Sequence, residues 1–304
     1  MRYTIVMTGA SRGIGRAAAQ ALSRRAPDAH LLVVVRDASG RGPAGWLGEV
    51  EGQVSQGTAD LGSRSGVRAA VAEITDRLDQ GSLPPLRAFV GNAGVQYTDA
   101  QTVTPEGLEA TFAVNVLANH LFVRLLWDRF SAPSRIVLTA GDTHFGDLRH
   151  NLGMVPGPAW RSPRVLARPG AFAPSGTATA GRTAYATSKL AVIHLVHEYA
   201  RRLPAGVEAV AYNPGFVPAT GLARDAGRAA RVAVRYVLPA LTLTPLATGP
   251  RTAGRRLADI VLGAVRAPSG SYVDRDRAAP SSPESYDAHR EAELWAVLEE
   301  FCTY

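Results

Sequence analysis

Cysteine is almost absent from this chain, since Cys302 is the only one among 304 residues. An intramolecular disulfide is therefore excluded, and so is a zinc cluster built from thiolates. No uninterrupted apolar run approaches the roughly 18 residues that a membrane span needs. Met1 leads directly into a strand-like segment, without the pattern of a secretory signal. These absences predict a cytoplasmic protein without a membrane span.

Lysine is nearly absent as well: Lys189 is the only one, and every other basic residue except the histidines is arginine. The formal net charge is +7, but the basic residues are scattered and form no run of five or six like charges. A nucleic-acid surface needs such a concentration of charge on one face. We therefore expect no nucleic-acid partner.

Strand-like and helical patterns alternate along the whole chain. Strands are predicted near 3–8, 30–35, 53–57, 87–91, 135–139, 207–212 and 271–273, and helices near 16–25, 62–79, 105–130, 183–203, 252–265 and 283–301. Several of the strands are continuous apolar runs, which is typical of strands buried on both faces of a parallel sheet. The alternation predicts an α/β fold: a Rossmann-type, doubly wound parallel sheet of about seven strands with helices on both faces. We expect a single domain over residues 1–304.

A glycine-rich motif, TGASRGIG at residues 8–15, stands between the first strand and the first helix. Such a turn brings the diphosphate of a dinucleotide to the backbone N–H groups of a helix N-terminus. By itself the motif is also compatible with a tight turn that binds nothing. Asp60-Leu61 after the third strand and Asn92-Ala93-Gly94 after the fourth favour the dinucleotide, because a carboxylate could reach the adenine and small residues could pass beneath the cofactor.

Two arginines bear on the choice of cofactor. Arg12 lies inside the glycine motif, and Arg36 ends the second strand, where NAD-binding proteins carry a carboxylate for the ribose 2′-hydroxyl. Arginine suits the 2′-phosphate of NADP instead. The alternative is that both are solvated surface side chains of an arginine-rich protein. We expect NADP(H).

The second motif is Tyr185-Ala-Thr-Ser-Lys189 at the start of a strong helical pattern. A spacing of four places the phenol and the ammonium on one face of the helix. A free tyrosine has a pKa near 10, and a neighbouring cation favours its ionised form. The pair therefore predicts a general acid/base near neutral pH.

Together these motifs resemble those of the short-chain dehydrogenase/reductase superfamily along nearly the whole chain. The matching pieces are TGASRGIG, Asp60-Leu61, the Asn-Ala-Gly at 92–94, Asn115, the Tyr185/Lys189 pair and Asn213-Pro-Gly-Phe-Val217. The long segment before the tyrosine, the run from Ala184 to Leu190 and the tail from Ser285 to Trp295 are most similar to the retinol-dehydrogenase and protochlorophyllide-reductase-like branch.

The resemblance implies roles for individual residues. Tyr185 would be the general acid/base, Lys189 its activator and a ribose anchor, and Asn115 the holder of a water that links Lys189 to solvent. The residues implied in cofactor binding are Gly9, Ser11, Arg12, Gly13, Ile14, Gly15, Arg36, Asp60, Leu61, Asn92, Ala93, Gly94, Tyr185, Lys189, Pro214, Gly215 and Val217.

One position departs from the family pattern. Members carry a serine after the fifth strand that helps the tyrosine to hold a substrate carbonyl, and alignment on Arg135-Ile-Val137 places Gly141 there. Loss of one preorganised oxyanion donor typically costs about 10² to 10³ in rate. Either Thr143 or Asp142 supplies a replacement hydrogen bond, or the scaffold serves a non-redox reaction such as cyclisation, dehydration or rearrangement. Gly91, where members usually have asparagine, is a smaller departure that we expect to be tolerated.

Three segments are expected to shape the substrate region. Residues 146–182 form an insert near the pocket or a cover for the following helix, although a solvated excursion is the alternative. Residues 217–250 form a lid region whose apolar run from Val237 to Leu246 favours a large apolar substrate, with simple packing as the alternative. Residues 283–301 form a C-terminal helix anchored by Leu294, Trp295, Leu298 and Phe301.

Further expectations concern metals and assembly. His144, with Asp142 and Asp147 nearby in sequence, has no second histidine close enough in sequence to complete a metal site, so we expect none. Many relatives dimerise through the helix that carries the tyrosine, and a long preceding insert can cover it. We therefore expect a monomer or at most a dimer.

The leading hypothesis is an NADP(H)-dependent oxidoreductase, a ketoreductase or alcohol dehydrogenase, acting on a bulky apolar carbonyl or alcohol in secondary-metabolite tailoring. The non-redox enzyme on the same scaffold is the second hypothesis. A cofactor-binding regulatory module without catalysis is the third, and the presence of Tyr185, Lys189 and Asn115 together argues against it.

Overall fold

A twisted sheet forms the centre of the protein in the computed structural model, which describes residues 2–36, 48, 50–151, 153, 155–217 and 247–303. Its strands are β1 (Tyr3–Thr8), β2 (Ala29–Val35), β3 (Gln53–Thr58), β4 (Leu86–Gly91), β5 (Ser134–Thr139), β6 (Val207–Asn213), β7 (Tyr272–Asp274) and β8 (Arg277–Ala279). The order across the sheet is β3-β2-β1-β4-β5-β6-β7-β8. Seven strands are parallel, and only β8 runs antiparallel, to β7. The expected doubly wound sheet is confirmed.

Helices connect the strands and cover both faces of the sheet. They are α1 (Gly13–Arg25), α2 (Arg64–Asp79), α4 (Ala178–Arg202), α5 (Pro250–Val261) and α6 (Ala288–Thr303). The segments Ala110–Phe112, Ala113–Leu117 and Ala118–Leu125 follow one another without a break and together form α3, with a π-helical turn in the middle. One-turn helices at Leu148–Asn151 and Pro163–Leu166 lie between β5 and α4.

Successive residues of a strand place their side chains in two separate hydrophobic cores, one on each face of the sheet, because side chains alternate along a strand. Ile5 and Met7 of β1 point to the core beneath α1 and α5. Val6 points to the larger core beneath α2, α3, α4 and α6. Helix α5 lies very close to α1, because a Cβ on Gly254 would come within 2.5 Å of the Ala17 side chain.

Some predicted boundaries were wrong for local reasons. The helix predicted at 183–203 begins at Ala178, because the Thr177 side chain accepts a hydrogen bond from the Ala180 N–H and caps it there. The helix predicted at 105–130 covers only Ala110–Leu125, since Glu109 caps its start. At the C-terminus, Pro283–Tyr286 is a 3₁₀ turn, and α6 follows after Asp287, whose carboxylate accepts hydrogen bonds from the N–H groups of His289 and Arg290.

The expected lid region lies mostly outside the described residues, which include Val217 and 247–250 but none of 218–246. The apolar run from Val237 to Leu246 therefore stays a sequence feature. Within the described ranges, every helix is too short or too polar to cross a bilayer.

Candidate active site

The candidate residues of the dinucleotide site and of the acid/base pair gather at one edge of the sheet. The motifs at 9–15, 60–61, 92–94 and 214–217 directly follow the carboxyl ends of β1, β3, β4 and β6. Arg36 and Gly141 follow β2 and β5 in the same way. Ligands of open α/β sheets bind at this edge, where the strand order reverses. Here the reversal lies between β1 and β4.

Close backbone packing explains the glycines of the first motif. Gly9 has φ +69° and Gly13 has φ +55°, a region that side chains with a Cβ rarely adopt. A Cβ on Gly15 would lie 2.0 Å from the Gly9 carbonyl oxygen, and one on Gly9 would lie 2.7 Å from the backbone of Ala93. Gly9 and Gly15 therefore have no room for a Cβ, and their close packing places the turn at the start of α1, where helix N–H groups attract an anion.

The segment after β4 is bonded directly to that turn. Asn92 donates through Nδ2 to the Gly9 carbonyl at 3.1 Å, and the Ala93 N–H donates to the Thr8 hydroxyl at 3.2 Å. Gly94 lies over the polar groups beyond, since a Cβ there would lie 3.4 Å from Asn115 Oδ1 and 3.6 Å from Lys189 Nζ. The structure therefore brings the first and second halves of the predicted site together through Asn92, Ala93 and Gly94.

Three of the candidate cofactor residues lie at the outer rim. Arg12 is exposed at the N-terminus of α1, and Arg36 is exposed at the end of β2. Asp60 is exposed too, and its carboxylate accepts a hydrogen bond from the Gly62 N–H at 3.0 Å. Leu61 packs against the larger core. The rim is thus cationic beside β1 and β2 and acidic beside β3.

Tyr185 and Lys189 lie side by side on α4, with the Lys189 Nζ 5.3 Å from the centroid of the Tyr185 ring. Only 9% of Tyr185 and 4% of Lys189 is exposed. Lys189 donates to the Thr139 carbonyl at 2.8 Å, which fixes the ammonium at the end of β5. Burial lowers the pKa of Lys189 to about 8 and raises the pKa of Tyr185 to about 12. Burial is the cause of both shifts, so the predicted lowering of the Tyr185 pKa by the neighbouring ammonium is not seen.

Asn115 lies on the π-helical turn of α3, and such turns often occur at functional sites. Its side chain accepts from the Val95 N–H at 2.9 Å and donates to the Val95 carbonyl at 3.0 Å and to Ser188 Oγ at 2.9 Å. Asn119 donates to the Asn115 carbonyl at 2.8 Å. Asn115 is thereby fixed between the segment after β4 and the helix that carries the Tyr185/Lys189 pair.

Asn119 also explains the departure at Gly91. A Cβ on Gly91 would lie 2.2 Å from Asn119 Oδ1. The Asn119 side chain, from α3, therefore occupies the space that the asparagine of the family pattern would need at position 91. Asn119 was not among the candidate residues of the sequence. No local motif marks it, because the contact joins residues 28 positions apart.

The turn after β5 replaces the serine of the family pattern by open space. Among the described residues, a Cβ on Gly141 would meet only Thr143 Oγ1, at 4.0 Å. The Thr143 hydroxyl is itself buried, and none of the described residues is within hydrogen-bonding distance of it. Since a buried hydroxyl normally has a partner, this one is available to a ligand. It lies beside the position from which a serine would act.

The carboxylate of Asp142, the other candidate replacement, is hydrogen-bonded to neighbouring side chains. Its Oδ1 accepts hydrogen bonds from Asn213 Nδ2 and from the Tyr272 hydroxyl. Asn213 Nδ2 donates to Asp274 at 2.9 Å as well, and Asn213 Oδ1 accepts from the Gly215 N–H at 3.0 Å. Burial, and then the neighbouring carboxylate of Asp274, raise the pKa of Asp142. This network joins the ends of β5, β6 and β7 and holds the Pro214-Gly215 turn.

His144 connects the turn after β5 to the C-terminal segment. Its Nδ1–H donates to the Gly141 carbonyl at 2.6 Å, and its Nε2 accepts from the Ser282 N–H at 3.1 Å. Only the neutral ring with its proton on Nδ1 makes both bonds. Burial lowers the pKa of His144 to about 4. Both nitrogens are occupied, so His144 fits a structural role better than a metal ligand.

A second group with metal-ligand chemistry lies between α3 and α6. The ligand atoms of His120, Glu299 and Cys302 lie within 4.8 Å of one another. Arg124, however, donates to both carboxylate oxygens of Glu299, and His120 uses one nitrogen for Glu299 and the other for the Tyr199 hydroxyl. These contacts satisfy the group as a hydrogen-bonded clamp between α3, α4 and α6.

The insert at 146–182 packs on the protein along its described residues. The Ala159 N–H donates to Thr187 Oγ1 at 3.0 Å, and the Trp160 ring meets His194 edge-on with the centroids 4.7 Å apart. The Glu109 N–H donates to the Ala167 carbonyl at 2.9 Å. Along these residues the insert packs against α4 and against the residue that caps α3.

Comparison with known proteins agrees with this architecture. The family model for short chain dehydrogenases matches residues 3–142. A Streptomyces sp. (strain C5) protein assigned as a daunorubicin C-13 ketoreductase is 31% identical over 96% of this chain and 90% of its own length. Retinol dehydrogenase 13 of Homo sapiens is 28% identical over 96% of this chain and 82% of its own length.

A solved structure shares the fold. The landomycin C-6 ketoreductase LanV, with bound NADP and rabelomycin, superposes with a TM-score of 0.59 at 22% identity, covering 90% of this chain and 94% of that one. The 31% identity to the Streptomyces relative extends over 96% of this chain. This chain belongs to the short-chain dehydrogenase/reductase family, in its retinol-dehydrogenase-like branch.

Proposed function

We propose that this protein is an NADP(H)-dependent ketoreductase that reduces a bulky, apolar ketone. The observation that carries the proposal is the buried Tyr185/Lys189 pair at the carboxyl edge of the sheet, next to a turn whose glycines keep its backbone open to a dinucleotide. Both the Streptomyces relative and LanV are described as ketoreductases, and the LanV structure contains NADP. Membership of the family supports an NAD(P)-dependent oxidoreductase.

The residues present fit a nicotinamide dinucleotide. The turn at 9–15 would hold the diphosphate, Asp60 and Leu61 the adenine side, and Asn92, Ala93 and Gly94 the middle of the cofactor. Lys189 has donors beyond the one given to Thr139, as a ribose anchor requires. When bound, the reduced cofactor supplies a hydride to the carbonyl carbon of the substrate.

Tyr185 is the proposed proton donor to the carbonyl oxygen. Its raised pKa keeps the proton on the phenol at neutral pH, which is the form that a reduction consumes. As the oxygen becomes an alkoxide, it takes the phenolic proton, and the ammonium of Lys189 stabilises the phenolate that remains. Asn115, fixed by Val95 and Ser188, is the proposed holder of the water through which Lys189 exchanges protons with solvent.

Thr143 is the proposed replacement for the missing serine. Its hydroxyl is buried without a partner and lies beside the open space at Gly141, whereas Asp142 is bonded to Asn213 and Tyr272. A donor in that place stabilises the developing negative charge on the substrate oxygen. With Thr143 as that donor, the site would offer two hydrogen-bond donors, Tyr185 and Thr143, to a carbonyl oxygen, which supports ketone reduction over the non-redox alternative.

The proposed preference for NADP(H) rests on Arg12 and Arg36 at the rim beside the expected adenosine end. Arginine binds the 2′-phosphate as a charged hydrogen-bond donor. Fluorescence titration should give NADPH a clearly lower dissociation constant than NADH, and Arg36→Ala should raise the NADPH value by about 10-fold or more while leaving the NADH value unchanged. Equal affinities of the unaltered protein for the two cofactors would refute the preference.

The insert and the lid region are the proposed walls of the substrate pocket. The insert packs over α4 and returns to the turn after β5, where Gly146 and Gly157 touch. Residues 217–250, with their apolar run, would complete the wall over the nicotinamide.

Transfer of label tests the reaction itself. The protein is incubated with NADPH deuterated at C4, in separate preparations labelled on either face, and with a panel of polycyclic aromatic ketones. Deuterium in the product alcohol supports the ketoreductase. Turnover without label in the product and without net oxidation of NADPH would instead establish the non-redox reaction.

A further inference from the structure

Arg275 lies outside the sequence motifs of the dinucleotide site and of the acid/base pair. It lies in the tight turn that joins β7 to β8, and its φ of +58° is the only positive value of a non-glycine residue in the described ranges. Residues other than glycine, asparagine and aspartate rarely adopt this region, and when they do the surroundings hold them there. One contact that holds this backbone conformation is the hydrogen bond from the Arg275 N–H to the Asn213 carbonyl, at 2.9 Å.

The side chain of Arg275 extends to the turn after β6. A Cβ on Gly215 would lie 2.9 Å from Arg275 Nε and 3.5 Å from Nη2, and 3.4 Å from Thr248 Oγ1. Gly215 itself has φ +73°. The guanidinium therefore occupies the space beside the one residue of the turn that has no side chain, at the edge of the sheet where the cofactor is proposed to bind.

The guanidinium has no anion of its own in the described part of the chain. Arg275 Nε is buried without a hydrogen-bond partner, and no described carboxylate comes within 4.0 Å of the side-chain nitrogens. Arg275 as a whole is half-buried, and a buried polar atom such as this Nε normally has a hydrogen-bond partner. An arginine left in this state is suited to an anionic ligand.

The nearby carboxylates are held by other groups. Asp142 and Asp274 both accept from Asn213 Nδ2, and Asp142 also accepts from Tyr272. Asp276, the next residue in the turn, pairs with Arg256 at 2.9 Å. Among the described residues, none of these three carboxylates forms an ion pair with Arg275, although its charge acts from a distance to lower the pKa of Asp142.

From this arrangement we propose that Arg275 binds the phosphate of the nicotinamide mononucleotide half of the cofactor. The inference rests on the proposed function, because it takes the 213–217 turn to flank the nicotinamide. A guanidinium matches a phosphate in charge and in hydrogen-bonding geometry. This phosphate is common to NADP(H) and NAD(H), so Arg275 contributes to affinity for both, whereas Arg36 would contribute to only one.

The test compares Arg275→Met with Arg277→Met by calorimetric titration of each purified protein. Arg277 lies on β8 in the same hairpin and is exposed, so it is the matched control. For Arg275→Met we expect the dissociation constants of NADPH and of NADH to rise by about 10-fold to 100-fold, as for loss of a charged hydrogen bond. Arg277→Met should bind both cofactors as the unaltered protein does.

Two fragments separate the halves of the cofactor. Arg275→Met should weaken binding of nicotinamide mononucleotide but leave 2′,5′-ADP unchanged. If nicotinamide riboside, which lacks the phosphate, is weakened as much as the mononucleotide, the contact is not with the phosphate and the inference is wrong. If 2′,5′-ADP is weakened together with the other ligands, the change is a general loss of structure, which also overturns it.

A conservative variant covers the case in which Arg275→Met does not fold. Arg275→Lys keeps the charge but loses the planar fork, so we expect an affinity for nicotinamide mononucleotide reduced by less than in Arg275→Met. Affinity equal to that of the unaltered protein in both variants would refute the contact. If the unaltered protein binds no nicotinamide nucleotide at all, the proposed function fails; if it binds them and Arg275→Met changes nothing, only this inference fails.

Discussion

The two ends of helix α4 differ in whether their ionisable residues form ion pairs. Toward its N-terminal end, Tyr185 and Lys189 are buried, no acidic side chain of the described residues forms an ion pair with Lys189, and Lys189 donates to a neutral backbone carbonyl. Near its end, Glu198 pairs with Arg201 at 2.6 Å and with Arg202 at 2.5 Å. The first arrangement leaves charge and protons available to a ligand, and the second uses them to hold the protein together.

The paired end of α4 attaches the C-terminal helix. Glu291 of α6 is only 2% exposed. Its carboxylate accepts a hydrogen bond from His197 Nδ1 at 2.6 Å and forms an ion pair with Arg201. Trp295 lies under the guanidinium of Arg202, 4.5 Å from the ring centroid. The expected anchors Leu294 and Leu298 are fully buried, and Trp295 and Phe301 pack at the margin of the core. A helix that covers α4 is thus fixed by ion pairs at one end of it.

Substitution at the unpaired end should have the largest effect. Tyr185→Phe removes the proposed proton donor and should lower the turnover number by about 10² to 10⁴, the range typical of general acid catalysis. Binding of NADPH, measured by fluorescence, should change little because the ring remains. Tyr286→Phe is the matched control, since that tyrosine is 59% exposed and lies outside the site. Unchanged turnover in Tyr185→Phe would refute its role.

Substitution at the paired end should affect stability instead of chemistry. Glu291→Gln removes the charge that binds His197 and Arg201, and we expect the free energy of unfolding to fall by about 2 kcal/mol, since hydrogen bonds to charged groups contribute about 1.5 to 3. The half-exposed position of Arg201 keeps the value at the lower end. Urea unfolding at pH 7 measures it, with the exposed Glu284→Gln as the control. A loss no larger than in that control would contradict the assignment.

The effect of Glu291→Gln on stability should depend on pH. Burial acts to raise the pKa of Glu291, but His194, His197 and Arg201 together lower it to about 2. A carboxyl group whose pKa is lower in the folded state stabilises the protein above its ordinary value of 4.5, and this stabilisation disappears as the pH falls toward 2. The difference in stability between the unaltered protein and Glu291→Gln should therefore shrink between about pH 4.5 and pH 2. A constant difference would show that the charge is not its source.

Thr143→Val should reduce the turnover number by about 10-fold or more, because valine keeps the shape of threonine but removes the proposed donor to the substrate oxygen. The thermal midpoint should not fall, since the hydroxyl has no partner among the described residues. A loss of stability without a loss of turnover would place the hydroxyl outside the reaction.

Gly141→Ser sharpens that result. The backbone at Gly141 is extended, with φ 167°, and the described residues leave space for a Cβ there, so a serine fits without strain. Introduced into Thr143→Val, it should restore part of the lost turnover. A further loss would indicate that Gly141 leaves room for a part of the substrate.

The smallest expected effect is on assembly. Every residue of α4 from Ala184 to Val196 is buried within one chain, because the insert and α6 cover it. We expect a monomer of 32.1 kDa, or at most a dimer, by light scattering. A tetramer would contradict this expectation.

Local chemistry made much of the molecule predictable. Apolar runs gave the positions of the parallel strands, and the glycines at 9–15 and the Tyr185/Lys189 spacing carried their geometry in a few consecutive residues. Contacts between distant segments were not predictable in this way. Asn119 filling the space at Gly91, Asn213 holding two carboxylates and Arg275 reaching Gly215 each depend on strands that meet only in the folded sheet. The early start of α4 was missed because a single cap at Thr177 decides it.

The bond from His144 to Ser282 has a consequence for how the protein is made. The turn after β5 is synthesised near the middle of the chain, but one of the two bonds that fix His144 comes from a residue 138 positions later. While the ribosome is still translating, the sheet through β6 can assemble with that turn only half secured and with α4 uncovered. The candidate site would then be completed among the last events of synthesis, and a chain released before its C-terminal segment emerges would present an apolar helix to chaperones and proteases.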